Sequence, residues 1–358
     1  MKYEKRILLI NFGGIGDQIL FFPVLQTLKK TFENSYITFV TEPRSSSAIK
    51  LTDNIDELFI SNLKSGNKFI EAVKLIKKAI FGRYDMIISS GSSSLVSILL
   101  FLTGIKERIG YDSGALSRIL LTKAMPLNQN QYAADMYHDL VSAFEKSTEI
   151  KIPEISLNLD SDHREYLENL LFDQLSDKKN IIIHPGVSRL SIEKKMIKFW
   201  PTDKWVELIK KLLVSEKYRI ILTGGPDDRE VLQEIKTQLA EFSSNRKFLL
   251  DLSGRRFNIE EFAYIVKISD MLVCVDSAPM HIAVGLKKHV AALFGPTDEN
   301  KLLPSGNRLF TAIKNDKLKC RPCLWDKRQT SCASLNCLEI ETDRVFNTLE
   351  EKFSIILK

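Results

Sequence analysis

The sequence predicts two α/β domains, each built as a doubly wound parallel sheet. The chain has 358 residues, about twice the usual size of one domain. Short apolar runs alternate with amphipathic stretches of helical periodicity in both halves of the chain. Several of these runs end in turns that contain glycine, which is typical of ligand-binding strands. Because open parallel sheets bind ligands beyond the carboxyl ends of their strands, we expect a binding cleft between the two domains.

The first domain is predicted over residues 1–160. Residues 6–12 form an apolar strand that ends in a glycine turn, and a helix is predicted over 17–32. Further strands at 36–40 and 86–89 alternate with helices at 67–80 and 133–146. This order of elements indicates a mostly parallel sheet.

The second domain is predicted over residues 161–340, after a polar region around 148–179 that suits a linker and contains a helix at about 161–175. Its elements are strands at 180–184, 218–222, 247–250, 271–275 and 289–294, and helices at 202–214, 227–242, 258–268 and 278–285. A closing amphipathic helix is expected within residues 341–358, where it can pack back across the domain junction.

Composition and charge exclude several classes of protein. The chain is 44% apolar and 27% charged, and 51 basic against 45 acidic residues give a net charge of +6. This small excess argues against a dedicated nucleic-acid-binding protein but permits contact with phosphates or an anionic membrane. The first residues lack the features of a secretory signal, and the longest apolar run, Leu95–Leu102, is far shorter than the roughly 20 residues of a membrane span. We therefore expect a cytoplasmic chain.

A glycine-rich turn follows the first predicted strand. It contains Gly13, Gly14 and Gly16, followed directly by Asp17. Glycine lets a backbone approach a ligand closely, and the next helix offers free N–H groups. The turn does not match a dinucleotide fingerprint, because position 19 is isoleucine. Asp17 is therefore interpreted either as a helix cap or as a functional carboxylate.

Two segments of the second domain supply further candidates. Lys198 precedes a Phe-Trp-Pro sequence, and its ammonium can neutralise a diphosphate, although a solvated lysine is the simpler interpretation. The strand at 218–222 is followed by Gly224 and Gly225 and then by Asp227, which can cap the next helix or accept a hydrogen bond from a ribose hydroxyl.

The strand at 271–275 is followed by the most informative turn. It begins with Asp276, Ser277 and Ala278, and Pro279 can open a helix whose first N–H groups form an anion site. His281 lies on the first turn of that helix, near enough to pair with Asp276, or it has a purely structural role.

Four of the five cysteines lie close together near the end of the chain. Their positions are Cys320, Cys323, Cys332 and Cys337. In a reducing compartment, clustered thiols bind zinc or iron more often than they form disulfides. A structural metal site and unliganded or oxidisable thiols both remain open, and we expect no catalytic role for these cysteines.

Four of these segments, in this order, resemble the glycosyltransferase family 9 heptosyltransferases. They are ILLINFGGIGDQILFFPVLQTLKK, IIIHPG with KFWPTDKWVELI, IILTGGPDDREV, and the stretch from LSGRRF to LFGPT. The likeness extends from residue 6 to about residue 298, and it implies a GT-B fold of two Rossmann-like domains that face an interdomain cleft.

The resemblance also implies roles for individual residues. Asp17 is the candidate general base for the acceptor hydroxyl, and Lys198 neutralises the leaving nucleoside diphosphate. Asp227 lies where the family contacts the ribose, and Ser188 can supply a hydroxyl to a phosphate. The donor site implied in this way comprises Ser188, Gly224, Gly225, Asp227, Asp276, Ser277, Ala278, Pro279 and His281, and the acceptor-side loop comprises Gly13, Gly14 and Gly16.

The activity that the resemblance implies is inverting transfer of heptose from ADP-heptose to the inner core of lipopolysaccharide, with no cofactor required for catalysis. Part of the family carries the cysteine cluster, including autotransporter heptosyltransferases that contain iron, so serine hydroxyls of a surface protein are an alternative acceptor. A non-catalytic nucleotide-sugar-binding protein is the other alternative. Peripheral contact with the inner face of the inner membrane is compatible with a lipid acceptor, and the oligomeric state stays open.

Overall fold

Two six-stranded sheets, each parallel throughout, organise the two halves of the chain. The computed structural model describes residues 3–144, 151–159, 164–172, 178–187, 198–324, 332 and 334–356. The chain divides into two compact units, Met1–Leu159 and Asp160–Lys358. Within the described residues, no helix has the length and apolar character that a membrane crossing needs.

The sheet of the first unit has the strand order β3-β2-β1-β4-β5-β6. Its strands are β1 (Lys5–Ile10), β2 (Ser35–Thr41), β3 (Glu57–Ile60), β4 (Met86–Ser89), β5 (Glu107–Tyr111) and β6 (Lys123–Met125). From Ile7 to Ile10 the central strand β1 is apolar and buried, as expected where helices cover both faces of a parallel sheet.

The helices of the first unit are α1 (Ile15–Leu20), α2 (Phe22–Thr31), α3 (Lys68–Gly82), α4 (Ser94–Leu102), α5 (Ala115–Leu120) and α6 (Ala133–His138). The helix predicted over 17–32 is therefore two helices. Pro23 lies in the first turn of α2, where its missing N–H leaves no hydrogen bond unmade. A 3-10 helix, Asp139–Ala143, continues α6 to nearly the end of the predicted helix at 133–146.

The sheet of the second unit repeats the same topology, with the order β12-β11-β10-β7-β8-β9. Its strands are β7 (Lys179–His184), β8 (Tyr218–Leu222), β9 (Leu249–Asp251), β10 (Met271–Val275), β11 (His289–Phe294) and β12 (Phe310–Lys314). Its helices are α7 (Arg164–Phe172), α8 (Thr202–Val214), α9 (Arg229–Leu239), α10 (Ile259–Ile268), α11 (Ala278–Gly285), α12 (Glu299–Leu302) and α13 (Thr342–Ile356).

The closing helix α13 packs on α8 of the same unit. Val345 and Leu349 are buried in the core that α8 covers. The Asp343 carboxylate lies 2.8 Å from the Lys211 ammonium, and the Thr342 hydroxyl donates a hydrogen bond to Glu207. The core beneath contains Trp205, which agrees with the high burial typical of tryptophan.

Candidate active site

The glycine turn after β1 holds the Asp17 carboxylate in a fixed position. Gly14 caps α1, and its backbone N–H donates a hydrogen bond of 2.7 Å to Asp17 Oδ2. A Cβ atom on Gly13 would lie 2.2 Å from the Cβ of Asp17, so only glycine fits there. The Asn11 side chain accepts from the N–H of Gly13 and donates to the Asp17 carbonyl oxygen. The structure therefore brings Gly13, Gly14 and Asp17 together, with Gly16 in the first turn of the helix.

Tyr137 on α6 holds the other oxygen of this carboxylate, a contact that the sequence analysis missed. Its hydroxyl donates to Asp17 Oδ1 at 3.1 Å. Burial and, to a smaller extent, the charge of Asp17 raise the pKa of Tyr137 well above 10, so the hydroxyl remains a donor. A tyrosine far along the chain carries no local signal of this contact.

Arg44 is a second residue near this turn that sequence patterns did not identify. The position that a Cβ of Gly14 would occupy lies 3.7 Å from its guanidinium. Arg44 also hydrogen-bonds the buried Glu42 at the end of β2. A guanidinium that is paired with a buried carboxylate therefore lies beside the Asp17 turn.

Lys198 and Asp276 meet in the second unit. The Lys198 ammonium lies 2.9 Å from Asp276 Oδ2, and both side chains are largely buried. Asp276 follows β10, which pairs with β7. The strand order reverses between these two strands, and this is where open α/β sheets bind their ligands.

The helix that follows Asp276 begins as the sequence predicts. Ser277 is the N-cap of α11, and Pro279 lies in its first turn. Ala278 is the first residue of the helix, and His281 is buried one turn along. The start of the helix therefore presents backbone N–H groups beside the Lys198–Asp276 pair.

In the turn after β8, the residue that caps the next helix is Asp228 and not Asp227, for which the sequence analysis considered this role. Asp228 is buried and accepts a 2.7 Å hydrogen bond from the N–H of Gly225, whereas Asp227 is exposed. A Cβ on Gly186 would lie 1.9 Å from the Asp228 carboxylate. Gly224 packs against Leu232 and Asp228 and also has no room for a Cβ.

His184 at the end of β7 completes this buried group. Its Nε2 lies 3.6 Å from Asp228 Oδ2, and its Nδ1 is 3.1 Å from the Thr223 hydroxyl. Burial lowers the pKa of His184 to about 4 and raises the pKa of Asp228 to about 6, although backbone hydrogen bonds partly oppose the second shift. At pH 7 the imidazole is neutral and the carboxylate is mostly ionised, so the two do not form an ion pair.

Ser188, the predicted phosphate ligand, lies outside the described residues.

The four clustered cysteines lie in the second unit. Cys337 is buried, Cys323 is half-buried, and Cys320 and Cys332 are exposed. Burial raises the pKa of the Cys337 thiol, and the charges of the other three cysteines act in the same direction. Thiolates are suitable ligands for zinc or iron. Across the described residues, however, no three Cys, His, Asp or Glu side chains are grouped closely enough to hold a metal ion.

We expect Asp228→Asn to stabilise the protein in a pH-dependent manner. Because folding raises the pKa of Asp228 from 3.8 to about 6, this group favours the folded state at low pH, and its contribution is lost as the pH rises. The asparagine can still accept from Gly225 and never ionises. Denaturant unfolding at several pH values should show the variant gaining stability over the parent between about pH 4 and pH 7, by up to about 3 kcal/mol.

The exposed Asp227→Asn serves as the comparison for this series: the charge of Asp227 is one of the smaller causes of the raised pKa of Asp228, so removing it should shift stability in the same direction but by much less. A constant difference for Asp228→Asn would contradict the assigned ionisation.

Comparison with known proteins identifies the family of this chain. The family model described as Glycosyltransferase family 9 (heptosyltransferase) matches residues 73–333. A lipooligosaccharide heptosyltransferase 2 from Haemophilus influenzae is 24% identical over 325 residues, which cover 88% of this chain and 91% of the relative.

Solved structures show the same fold. The Escherichia coli ADP-heptose lipopolysaccharide heptosyltransferase II has a TM-score of 0.75 at 20% identity, and the likeness covers 99% of this chain and 100% of that one. The iron-containing dodecameric glycosyltransferase TibC from enterotoxigenic Escherichia coli has a TM-score of 0.59 at 11% identity, covering 99% of this chain and 78% of that one. The predicted fold class, GT-B with two Rossmann-like domains, is confirmed. The chain belongs to glycosyltransferase family 9, the heptosyltransferase family.

Proposed function

We propose that this protein transfers heptose from ADP-heptose to an inner-core sugar of lipopolysaccharide, with inversion at the anomeric carbon. The observation that carries the proposal is the Lys198–Asp276 pair beside the start of α11. A cation next to free helix N–H groups matches the charge of a leaving diphosphate. The donor and the acceptor follow the names of the relatives, which include ADP-heptose and lipopolysaccharide.

In the proposed reaction, Asp17 takes the proton of an acceptor hydroxyl. The oxygen then attacks the anomeric carbon while the bond from that carbon to the diphosphate oxygen breaks, and its electron pair leaves with ADP. Gly14 and Tyr137 orient the carboxylate through their hydrogen bonds to its two oxygens. Lys198 and the N–H groups at the start of α11 stabilise the charge that develops on the diphosphate.

This assignment gives the two units different roles. The first unit, with Asp17 and the glycine turn, takes the acceptor, and the second takes the donor. Asp276 holds the ammonium of Lys198 in place, and Asp227, in the turn after β8, would contact a ribose hydroxyl. We further propose that the enzyme works in the cytoplasm at the inner face of the inner membrane, where a lipid-linked acceptor is presented.

A serine hydroxyl of a surface protein is the second candidate acceptor. The cysteine cluster favours it, because the family resemblance links that cluster to heptosyltransferases that act on surface proteins. Proton removal by Asp17 and departure of ADP would be the same for either acceptor.

We expect Asp17→Asn to lower turnover by at least about 100-fold, because general bases contribute typically 10²–10⁴-fold. The measurement is ADP release from ADP-heptose with heptose-deficient lipopolysaccharide, and separately with an autotransporter passenger protein. Calorimetry should show that the variant binds ADP as the parent does. Turnover of Asp17→Asn at the parental rate would contradict the role of Asp17. If the parent acts on the passenger protein and not on lipopolysaccharide, the acceptor is a protein and not a lipid.

Tyr137→Phe is the matched comparison for that experiment. This variant keeps the carboxylate and loses only one hydrogen-bond donor, so its turnover should lie between those of Asp17→Asn and the parent.

We expect Lys198→Gln to weaken ADP binding by about tenfold or more, because hydrogen bonds to charged groups contribute about 1.5–3 kcal/mol. Calorimetric titration with ADP measures this directly, and Lys198→Arg, which keeps the charge opposite Asp276, should recover part of the affinity. The exposed Lys267→Gln is the control and should bind ADP as the parent does. If Lys198→Gln binds ADP with parental affinity, the Lys198 ammonium does not contribute to the donor site.

We also propose a structural zinc or iron ion for the cysteine cluster. The four cysteines lie within eighteen residues of the chain, and thiolates are suitable ligands for either ion. Among the described side chains, no group of three lies close enough to hold one. Elemental analysis should give about one metal ion per chain, which is lost in Cys323→Ser. Cys274→Ser, which changes a buried cysteine on β10, is the control and should keep the metal. A parent protein without metal would refute this proposal.

A further inference from the structure

The outer face of three helices in the first unit is apolar although it is exposed to solvent. Most of the large apolar side chains that are exposed among the described residues lie between residues 58 and 119. On α3, Phe69 is 79% exposed and Phe81 is 81% exposed, and on α4 and α5, Leu95 and Ile119 are about as exposed. Single exposed apolar residues are ordinary, but a continuous group of them marks an interaction site.

The geometry of α3 shows that this exposure is not a by-product of core packing. Leu75 and Ala79 are the buried residues of α3 and face the sheet. At 100° per residue, Phe69 and Ile80 share one direction, well away from the buried stripe. Ile70 and Phe81 are also eleven residues apart and share a second direction, rotated by about 100° from the first. The helix is therefore apolar on its outward face as well as on its inward face.

The next two helices continue this surface. Helix α4 contains no charged residue, and it buries Ser97 and Leu100 while Leu95 and Leu102 face outward. In α5, the small side chain of Ser117 is buried and Leu116 and Ile119 are exposed. Because α4 packs against both α3 and α5, the three outward faces form one surface, called here the α3–α5 surface.

The net positive charge of the chain comes from the segment that contains these three helices. Residues 61–123 contain ten lysines and arginines and four acidic residues, so they account for the whole excess of +6. On the outward face of α3, the exposed Lys77 lies between the direction of Phe69 and that of Phe81. Lys68 and Arg118 are exposed at the two ends of the surface. Apolar side chains interspersed with lysines are typical of helices that lie in a membrane interface.

We propose that the α3–α5 surface docks this enzyme on an anionic lipid bilayer, with the helices lying in the interface plane. The apolar side chains would enter the boundary between head groups and acyl chains, and the basic residues would contact lipid phosphates. The surface lies on helices that carry none of the residues assigned to catalysis, so the proposal does not depend on the reaction. It supplies a physical route to a lipid-linked acceptor.

Charge argues against a second copy of this chain as the occupant. A symmetric dimer through the α3–α5 surface would bring two segments of like charge together, each with the full positive excess of its chain. An anionic bilayer offers the opposite charge and an apolar layer beneath it. An acidic protein would complement the positive charge but not the exposed apolar side chains. The vesicle experiment below distinguishes such a partner from a bilayer.

The test is flotation of the full-length protein with vesicles of phosphatidylethanolamine and phosphatidylglycerol, compared with vesicles of pure phosphatidylcholine. We expect binding to the anionic vesicles that weakens with salt and is much lower on the neutral ones. Phe69→Gln with Phe81→Gln should weaken binding at least tenfold, because each aromatic side chain loses its apolar burial. Lys77→Gln should weaken binding about fivefold at low salt.

Two controls make the result specific. Val214→Ser removes an exposed apolar side chain of the second unit, and Lys267→Gln removes an exposed lysine there, and neither should change vesicle binding. All variants should retain parental turnover on a delipidated acceptor, so loss of membrane binding is distinguishable from loss of catalysis.

An introduced fluorophore provides a second measurement that does not depend on loss of binding. The indole introduced by Phe81→Trp should shift its emission to the blue on anionic vesicles, whereas one introduced by Val214→Trp should not. Absence of vesicle binding by the parent would overturn the proposal. So would a concentration-dependent dimer that Phe69→Gln with Phe81→Gln dissociates, since that result would make the surface an interface between copies.

Discussion

In each unit, an aspartate carboxylate lies so close to a glycine that no side chain fits between them. Asp17 packs on Gly13 and Asp228 packs on Gly186. Each carboxylate accepts a 2.7 Å hydrogen bond from the backbone N–H of a glycine in its turn, Gly14 for Asp17 and Gly225 for Asp228. This contact fixes the path of the chain where it leaves the sheet, and the position of every group beyond that edge depends on it.

The two carboxylates occupy similar turns but differ in what else they touch. Asp17 receives its second hydrogen bond from a tyrosine hydroxyl, which orients the carboxylate. Asp228 faces the neutral imidazole of His184 in a buried setting, where ionisation is opposed. One turn therefore holds its carboxylate between a backbone N–H and a tyrosine hydroxyl, whereas the other turns its carboxylate toward a buried imidazole.

Sequence patterns predicted the buried strands near the centre of each sheet and missed β3, β5, β6 and β12, which lie at or next to the edges. Strands β8, β10 and β11 coincide with their predicted ranges because they are buried runs. Strand β5 begins with two charged residues and strand β6 has only three residues, so neither shows a clear pattern of apolar residues from which a strand can be predicted.

The same limit applies to the site. Asp17, Lys198 and Asp276 were predicted from turn chemistry and from family resemblance, but whether Asp227 or Asp228 is buried depends on how the turn packs on the neighbouring strand. Helix α4 shows the limit most clearly, because its apolar run was considered only as a membrane span. A single layer of helices covers this side of the sheet, so only the inward stripe of α4 has to be apolar for folding. Polar outward residues would leave the core unchanged and would improve solubility. The fold therefore accounts for Leu100, whereas Leu95 and Leu102 call for a contact outside the chain.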